Sequence, residues 1–265
     1  MHANFLDPYQ PKPSPVHNLD ARIKLVLVIA FILTSALTPL GAWPVYVLLL
    51  ALVLSAELLS DLGIAFYLKR ALLALPFVLA ALPVLFTSQG AALVTLPLGL
   101  AVTADGLTRF ISISLKSWIS VQAAILLATT TLFPDILMAM RALGLPRLMV
   151  AVIGLMWRYL FVIVDEVLRL LRARASRSGE TGLPGHKSGG SVLWRARVTG
   201  GMAGSLLLRS IERSDRIYNA MLSRGYDGEV RSLARPSLRP MDWIILVALL
   251  ALLASLLALG SLVWG

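Results

Sequence analysis

Apolar runs long enough to cross about 30 Å of hydrocarbon, roughly 17 to 25 residues each, fall near 23–40, 42–60, 71–88, 107–133 and 241–264. Pro39 and Pro44 bracket the first break so closely that the first two runs predict a tight helical hairpin. Pro76 and Pro83 lie inside the third run, where each removes a backbone donor and invites a kink. Ordinary packing also accounts for them, since prolines are common in membrane helices. A sixth apolar stretch, "LMVAVIGLMWRYLFVIV" at 148–164, carries Arg158 and is set among basic residues.

The segment 134–240 reads differently. Pro134 and Asp135 suit the first turn of a helix, and Gly144 with Pro146 closes it. A second helix is predicted from about 147 to 178, followed by the glycine-rich loop "SGETGLPGHKSGG". A third spans roughly 192–224 and stops at Gly225. Its Gly200, Gly201 and Gly204 weaken the helix but permit close helix crossing.

Charge decides which runs cross. Lys12, Arg22 and Lys24 precede the first run, and Lys69 and Arg70 stand between the second and third, whereas 89–106 and the first turn hold no Lys or Arg. By the positive-inside rule the N-terminus is cytoplasmic, and four spans return the chain inside near residue 134. Seventeen Lys and Arg lie between 134 and 240, so 148–164 is read as lying along or dipping into the inner face. The expected division is a tail with four spans over 1–133, a cytoplasmic and interfacial helical module over 134–240, and a last span over 241–265. Composition agrees: of 265 residues 58% are hydrophobic and only 14% charged, too apolar for a soluble domain of this length. The basic excess of 24 Lys and Arg over 14 Asp and Glu points to the inner membrane face before nucleic acid. Without cysteine there is no disulfide framework or thiolate metal site.

One helix ending is written twice. At an offset of 47 residues, Asp165 aligns with Glu212, Arg169 with Arg216, Ala173 with Ala220, Ser176 with Ser223, Arg177 with Arg224, and Ser178 with Gly225. The acids, first arginines and alanines recur every four residues, one stripe of a helix, with each acid ahead of its arginine in the favourable i,i+4 order. Arg177 and Arg224 then stand at helix C-termini, which favour cations. Small neighbours let another surface approach a guanidinium that matches carboxylates and helix-end carbonyls. Singly, each ending is an ordinary basic terminus snorkelling at the membrane. Together, two like knobs suit a partner with two equivalent sockets, such as a dimer of like subunits.

"HNLDARIKL" with the following "LTP", "FPDILMAMRALGLPR", "WRYLFVIVDEVLRLLRARASRS" and "SLLLRSIERSDRIYNAMLSRGYDG" carry a family resemblance over nearly the whole chain. The sequence resembles the transmembrane T component of energy-coupling factor transporters, most nearly the CbiQ type of cobalt and nickel importers. The resemblance implies two cytoplasmic coupling helices, each ending in an Ala-Arg-Gly-like motif that docks into an ATP-binding-cassette ATPase. Carried over, the second motif is Ser223-Arg224-Gly225. The first is Ser176-Arg177-Ser178, which lacks the glycine and competes with the register Ala173-Arg174-Ala175. Implied partners are two ATPase subunits and a substrate-binding, CbiM-like membrane S component, with a small accessory membrane subunit as a further candidate. The implied home is the bacterial inner membrane, with Co²⁺, Ni²⁺ or another micronutrient such as a vitamin as cargo.

Other motifs point elsewhere only weakly. "GLPGHKS" at 182–188 has His186 where a phosphate loop requires glycine before Lys187. His2, His17 and His186 are scattered over tails and loops, so no metal or catalytic site is expected in the chain, and no cofactor. Asp105 and Arg109 have ion-pair spacing at the outer rim, while Lys116 lies two turns deeper, snorkelling or paired with Glu57 or Asp61. The expected fold is an all-α membrane protein of about five spans with a module of coupling helices. A secondary carrier would need a polar midplane site, and a membrane enzyme a cluster of acid, base or metal ligands.

Overall fold

The computed structural model describes residues 8–87, 92–95, 101–177, 191–228 and 239–264. Ser178, His2, His186, Lys187 and the loop 182–188 lie outside them. The chain forms two compact units, one of Asp7–Leu143 with Arg235–Gly265, the other of Gly144–Ala234 with Met1–Leu6.

The larger unit is a multi-pass helical bundle. After a single turn, α1 (Pro15–Asn18), come α2 (Ala21–Leu37) and α3 (Trp43–Leu59). The third span is broken into α4 (Ile64–Ala71), a 3-10 turn Leu72–Ala74, α5 (Leu75–Ala81) and α6 (Val84–Thr87). It starts seven residues before the apolar run suggested, because Lys69 and Arg70 lie in the last turn of α4 rather than in a loop. Its breaks follow the prolines: Pro76 opens α5, and Pro83 separates α5 from α6. Two short strands, β1 (Ala92–Thr95) and β2 (Ala101–Thr103), pair antiparallel before α7 (Ala104–Thr130). The bundle closes with α8 (Phe133–Ala142) and α11 (Pro240–Trp264).

The long α7 organises this unit, packing against α2, α3, α4, α5 and α6, while α11 packs against α2 and α3. The tight turn predicted between the first two runs is present, from Thr38 to Ala42, and α7 and α11 pack against both helices. Phe31, Val45, Leu49, Val53, Ile119 and Leu253 form the centre of the core. Gly106 is required by close approach at the top of α7, since a Cβ there would stand 2.8 Å from the carbonyl oxygen of Leu85. Although α8 begins the segment read as cytoplasmic, it packs against α2 and belongs to the bundle unit.

Lysines staple α2 to α7. Lys24, in the first turn of α2, donates to the carbonyls of His17 (3.1 Å) and Thr130 (3.0 Å). From α7, Lys116 donates to the carbonyls of Ala36 (3.2 Å) and Thr38 at the far end of α2. Each ammonium thus meets helix-end carbonyls that lack an intrahelical donor. Neither Glu57 nor Asp61 pairs with Lys116, which lies beside Tyr46 near the start of α3, about 16 Å of helix rise from Glu57. The N-terminal segment completes the same end of the bundle: Gln10 N donates to the Thr129 carbonyl, and Lys12 Nζ to that of Asp61. Asp105 and Arg109 are both exposed, and among the described residues no ion pair joins them, as expected of two side chains free to hydrate at a rim.

The smaller unit consists of α9 (Arg147–Arg177) and α10 (Val192–Leu222). By length and apolar content α9 could also cross a membrane, which is why hydropathy alone leaves 148–164 open.

Candidate functional site

Both arginine-bearing endings lie on these two helices. The repeat places one acid and one arginine per helix along an exposed stripe, and Asp165, Arg169, Ala173, Glu212, Arg216 and Ala220 are all exposed. Arg169, however, closes on Glu166 at 3.8 Å, not on Asp165. The reason is tertiary: Glu166 is held across the helix pair by Arg209 at 3.1 Å, which fixes its carboxylate toward that side of α9. The bracing acid of α9 is therefore Glu166, a residue that i,i+4 spacing passed over in favour of its neighbour.

Three contacts set the relative direction of the helices. Glu166 meets Arg209, Arg174 Nη1 donates to Thr199 Oγ1 at 3.0 Å, and Leu155 and Tyr159 share a groove with Tyr218 and Met221. Positions rising along α9 face positions falling along α10, so the pair is antiparallel. Arg177 and Arg224 consequently stand at opposite ends of it. From Thr199 to Leu222, the last residue of α10, the helix rises roughly 35 Å.

The two ends are alike in exposure but not in backbone. Ser176 and Arg177 belong to the last turn of α9, both exposed. Ser223 and Arg224 lie beyond the last residue of α10, at its C-cap. There Gly225 N donates to the Leu222 carbonyl and Tyr226 N to that of Met221, both at 3.0 Å, with Gly225 at φ +78°. This is a Schellman cap, which needs a residue that tolerates the left-handed region. Gly225 thus has a backbone role in addition to being small. Space around it is open, with no atom within 4 Å of where a Cβ would stand. Arg174 is engaged with Thr199, a contact inside the helix pair, whereas the Arg177 side chain faces solvent.

Between the helices lies a groove of about 310 Å³ whose lining includes Leu155, Tyr159, Ile163, Arg213, Tyr218 and Met221. Among the described residues no three His, Asp or Glu side chains gather in a way that would hold a metal ion.

Known proteins resemble this chain over most of its length. A family model described as cobalt transport protein, CbiQ, matches residues 12–235. An uncharacterized protein of Methanocaldococcus jannaschii is 27% identical, covering 94% of this chain and 86% of its own length. The cobalt transport protein CbiQ of Rhodobacter capsulatus is 27% identical over 69% of this chain and 72% of its own. The energy-coupling factor transporter transmembrane protein EcfT of Lactococcus lactis is 26% identical over 92% and 95%.

Proposed function

This chain belongs to the cobalt transport protein family CbiQ, and we propose that it is the energy-coupling T component of an ATP-driven importer. In this reading it performs no bond chemistry. It transmits closure of two ABC ATPase subunits to a separate substrate-binding membrane subunit, for uptake of Co²⁺ or Ni²⁺. The observation that carries the reading is the antiparallel α9–α10 pair with Arg177 and Arg224 exposed at its opposite ends. Two like sockets, one on each ATPase subunit, would each receive one guanidinium, Ser176-Arg177-Ser178 at one end and Ser223-Arg224-Gly225 at the other. Movement of the sockets toward each other would then change the angle between α9 and α10. The groove lined by Tyr159 and Tyr218 lies on that same pair, so its shape would follow. Asp165, Arg169, Ala173, Glu212, Arg216 and Ala220 are proposed to support the two docking ends. The charge distribution supports a cytoplasmic N-terminus and a cytoplasmic α9–α10 unit.

Co-expression with candidate ATPase subunits tests this. Losing a charge-assisted contact at a packed interface costs about 2 to 5 kcal/mol. Arg177→Ala or Arg224→Ala should each weaken ATPase capture and metal uptake, and the double variant should release the ATPase. Full capture and uptake in all three would overturn the coupling role, and uptake by the chain without any ATPase would favour a secondary carrier. Uptake of a vitamin instead of cobalt or nickel would keep the coupling role and change the cargo.

A further inference from the structure

Arg213 is a cation without an anion. Of the arginines on α9 and α10 only Arg174 and Arg213 are half-buried, and the others stand exposed. Arg174 donates to Thr199. Arg213 makes no hydrogen bond or ion pair among the described residues. The nearby carboxylates are committed or turned away. Glu166 is held by Arg209 at 3.1 Å and Arg169 at 3.8 Å, one turn of α10 short of Arg213. Glu212 and Asp215 are exposed, one and two positions from Arg213, spacings that do not share a helix face. On α9 no acid occurs from Arg147 to Val164. A guanidinium held half out of water without a partner carries a cost that an anionic ligand would offset.

The place Arg213 occupies narrows the ligand. It lines the α9–α10 groove of about 310 Å³, within the roughly 300–1,000 Å³ typical of small-ligand sites. The lining is graded along the groove. Ser210, Arg213 and Ser214 stand at the end nearer the Glu166–Arg209 pair. Ile217 and Met221 follow along α10, and the antiparallel register sets Leu155 of α9 across from them. Arg213 and Met221 are separated by about 12 Å of helix rise. The Ser210 hydroxyl donates to the Leu206 carbonyl at 2.8 Å, whereas that of Ser214 has no partner among the described residues.

One end thus offers a guanidinium fork and an unused hydroxyl donor, and the other aliphatic and aromatic surface. A ligand that satisfies both is an amphiphile with an anionic head. The planar fork of an arginine matches the oxygens of a phosphate. The helix that walls the groove is apolar and long enough to enter a bilayer, and the inner leaflet carries anionic phospholipids that basic pockets between helices bind.

We propose that the α9–α10 groove binds one anionic phospholipid, its phosphate on Arg213 and Ser214 and the first stretch of an acyl chain along Ile217, Met221 and Leu155. The site is separate from ATPase docking, since Arg177 and Arg224 take no part in the groove, and it survives the failure of that reading.

Native mass spectrometry of the full-length chain, stripped of lipid in detergent micelles, tests it. With added phosphatidylglycerol the wild type should hold one lipid at collision energies that remove all phosphatidylcholine. Arg213→Gln should weaken this binding about tenfold, the loss expected of a hydrogen bond to a charged group. Ser214→Ala, an exposed change that spares the fold, should weaken it less but measurably. Ile217→Asn should weaken it with every charge intact. Arg158→Gln removes the same charge from an exposed position outside the groove and should change nothing. Equal retention of the two lipids, or equal losses in Arg213→Gln and Arg158→Gln, would reveal diffuse attraction to charge and overturn the proposal. Competition by glycerol phosphate as effective as that of the lipid would also overturn it, because the groove would then hold a free phosphate. So would an unchanged lipid adduct in Arg213→Gln together with lost capture of a membrane subunit, which would assign the groove to a protein.

Discussion

Lys24 Nζ donates to the carbonyl oxygen of Thr130 at 3.0 Å, joining the first turn of α2 to the last residue of α7. Lys116 makes the reverse link from α7 to the end of α2. Hydrogen bonds to charged groups contribute about 1.5 to 3 kcal/mol. Lys24→Met should lower unfolding stability in detergent by about that much, and more than Lys24→Arg, which keeps charge and donors. Lys116→Met should act similarly, because Ala36 and Thr38 lose the same kind of donor. Equal stability of Lys24→Met and wild type would show that the ammonium only fills space.

These staples mark the limit of what the chain reveals before folding. The bounds of α8, the start of α9 and the end of α10 are legible within two residues because Pro134, Gly144 and Gly225 punctuate them chemically. The start of the third span was not, since Lys69 and Arg70 look like loop residues yet form a helical turn. Lys116 was visible as an intramembrane charge, but its partners are backbone carbonyls, which carry no sequence signal. Asp165 and Glu166 are adjacent acids at equally good helical spacings from Arg169. Only Arg209, 43 residues away, decides between them. The absence of Lys and Arg over 89–106 says nothing of the pairing between β1 and β2, a short-range register that no polar alternation announces.

Gly225 combines openness with a left-handed backbone, and two substitutions separate these roles. Asn tolerates φ +78°, so Gly225→Asn adds bulk while keeping the cap. Gly225→Val adds bulk and about 1 to 2 kcal/mol of backbone strain. Both should weaken ATPase capture if close approach at Arg224 matters. Only Gly225→Val should accelerate amide hydrogen exchange at Tyr226. Normal capture by both variants would remove Gly225 from the docking surface.

Arg174 and Arg177 compete as the first docking arginine. Because Arg174 donates to Thr199 within the pair, Arg174→Ala should cost less than about 1 kcal/mol, typical of an exposed contact, and spare ATPase capture. Arg177→Ala should impair capture at normal expression. The opposite ranking would move the motif to Ala173-Arg174-Ala175.

With no native cysteine, single-cysteine labelling gives topology without background. Leu40→Cys, in the α2–α3 turn, should react with an impermeant reagent on intact cells. Ser191→Cys, at the exposed start of α10, should react only after permeabilisation. Labelling of Ser191→Cys from outside would mean that α9 crosses the membrane.

His17 supplies a pH dependence at the N-terminal end of the bundle. Its Nε2 lies 3.0 Å from the Gln10 carbonyl and Nδ1 2.6 Å from Ser14 Oγ, which suits a neutral ring donating through Nε2. Burial pushes its pKa below the ordinary value of 6.5, against the opposing pull of the Gln10 hydrogen bond. The unfolded chain therefore binds a proton at higher pH than the folded one. Stability is full above pH 6.5 and falls as the pH drops through that value toward the folded pKa. Asp135 acts in the other direction, because burial raises its pKa above 3.8, so folding favours its protonated form at still lower pH. Unfolding midpoints should thus decline between pH 7 and pH 5.5, and His17→Gln should flatten that decline. Gln keeps a donor for the Gln10 carbonyl but has no proton to gain. A wild-type curve unchanged over this range, or a His17→Gln curve with the same slope, would place the titrating group elsewhere.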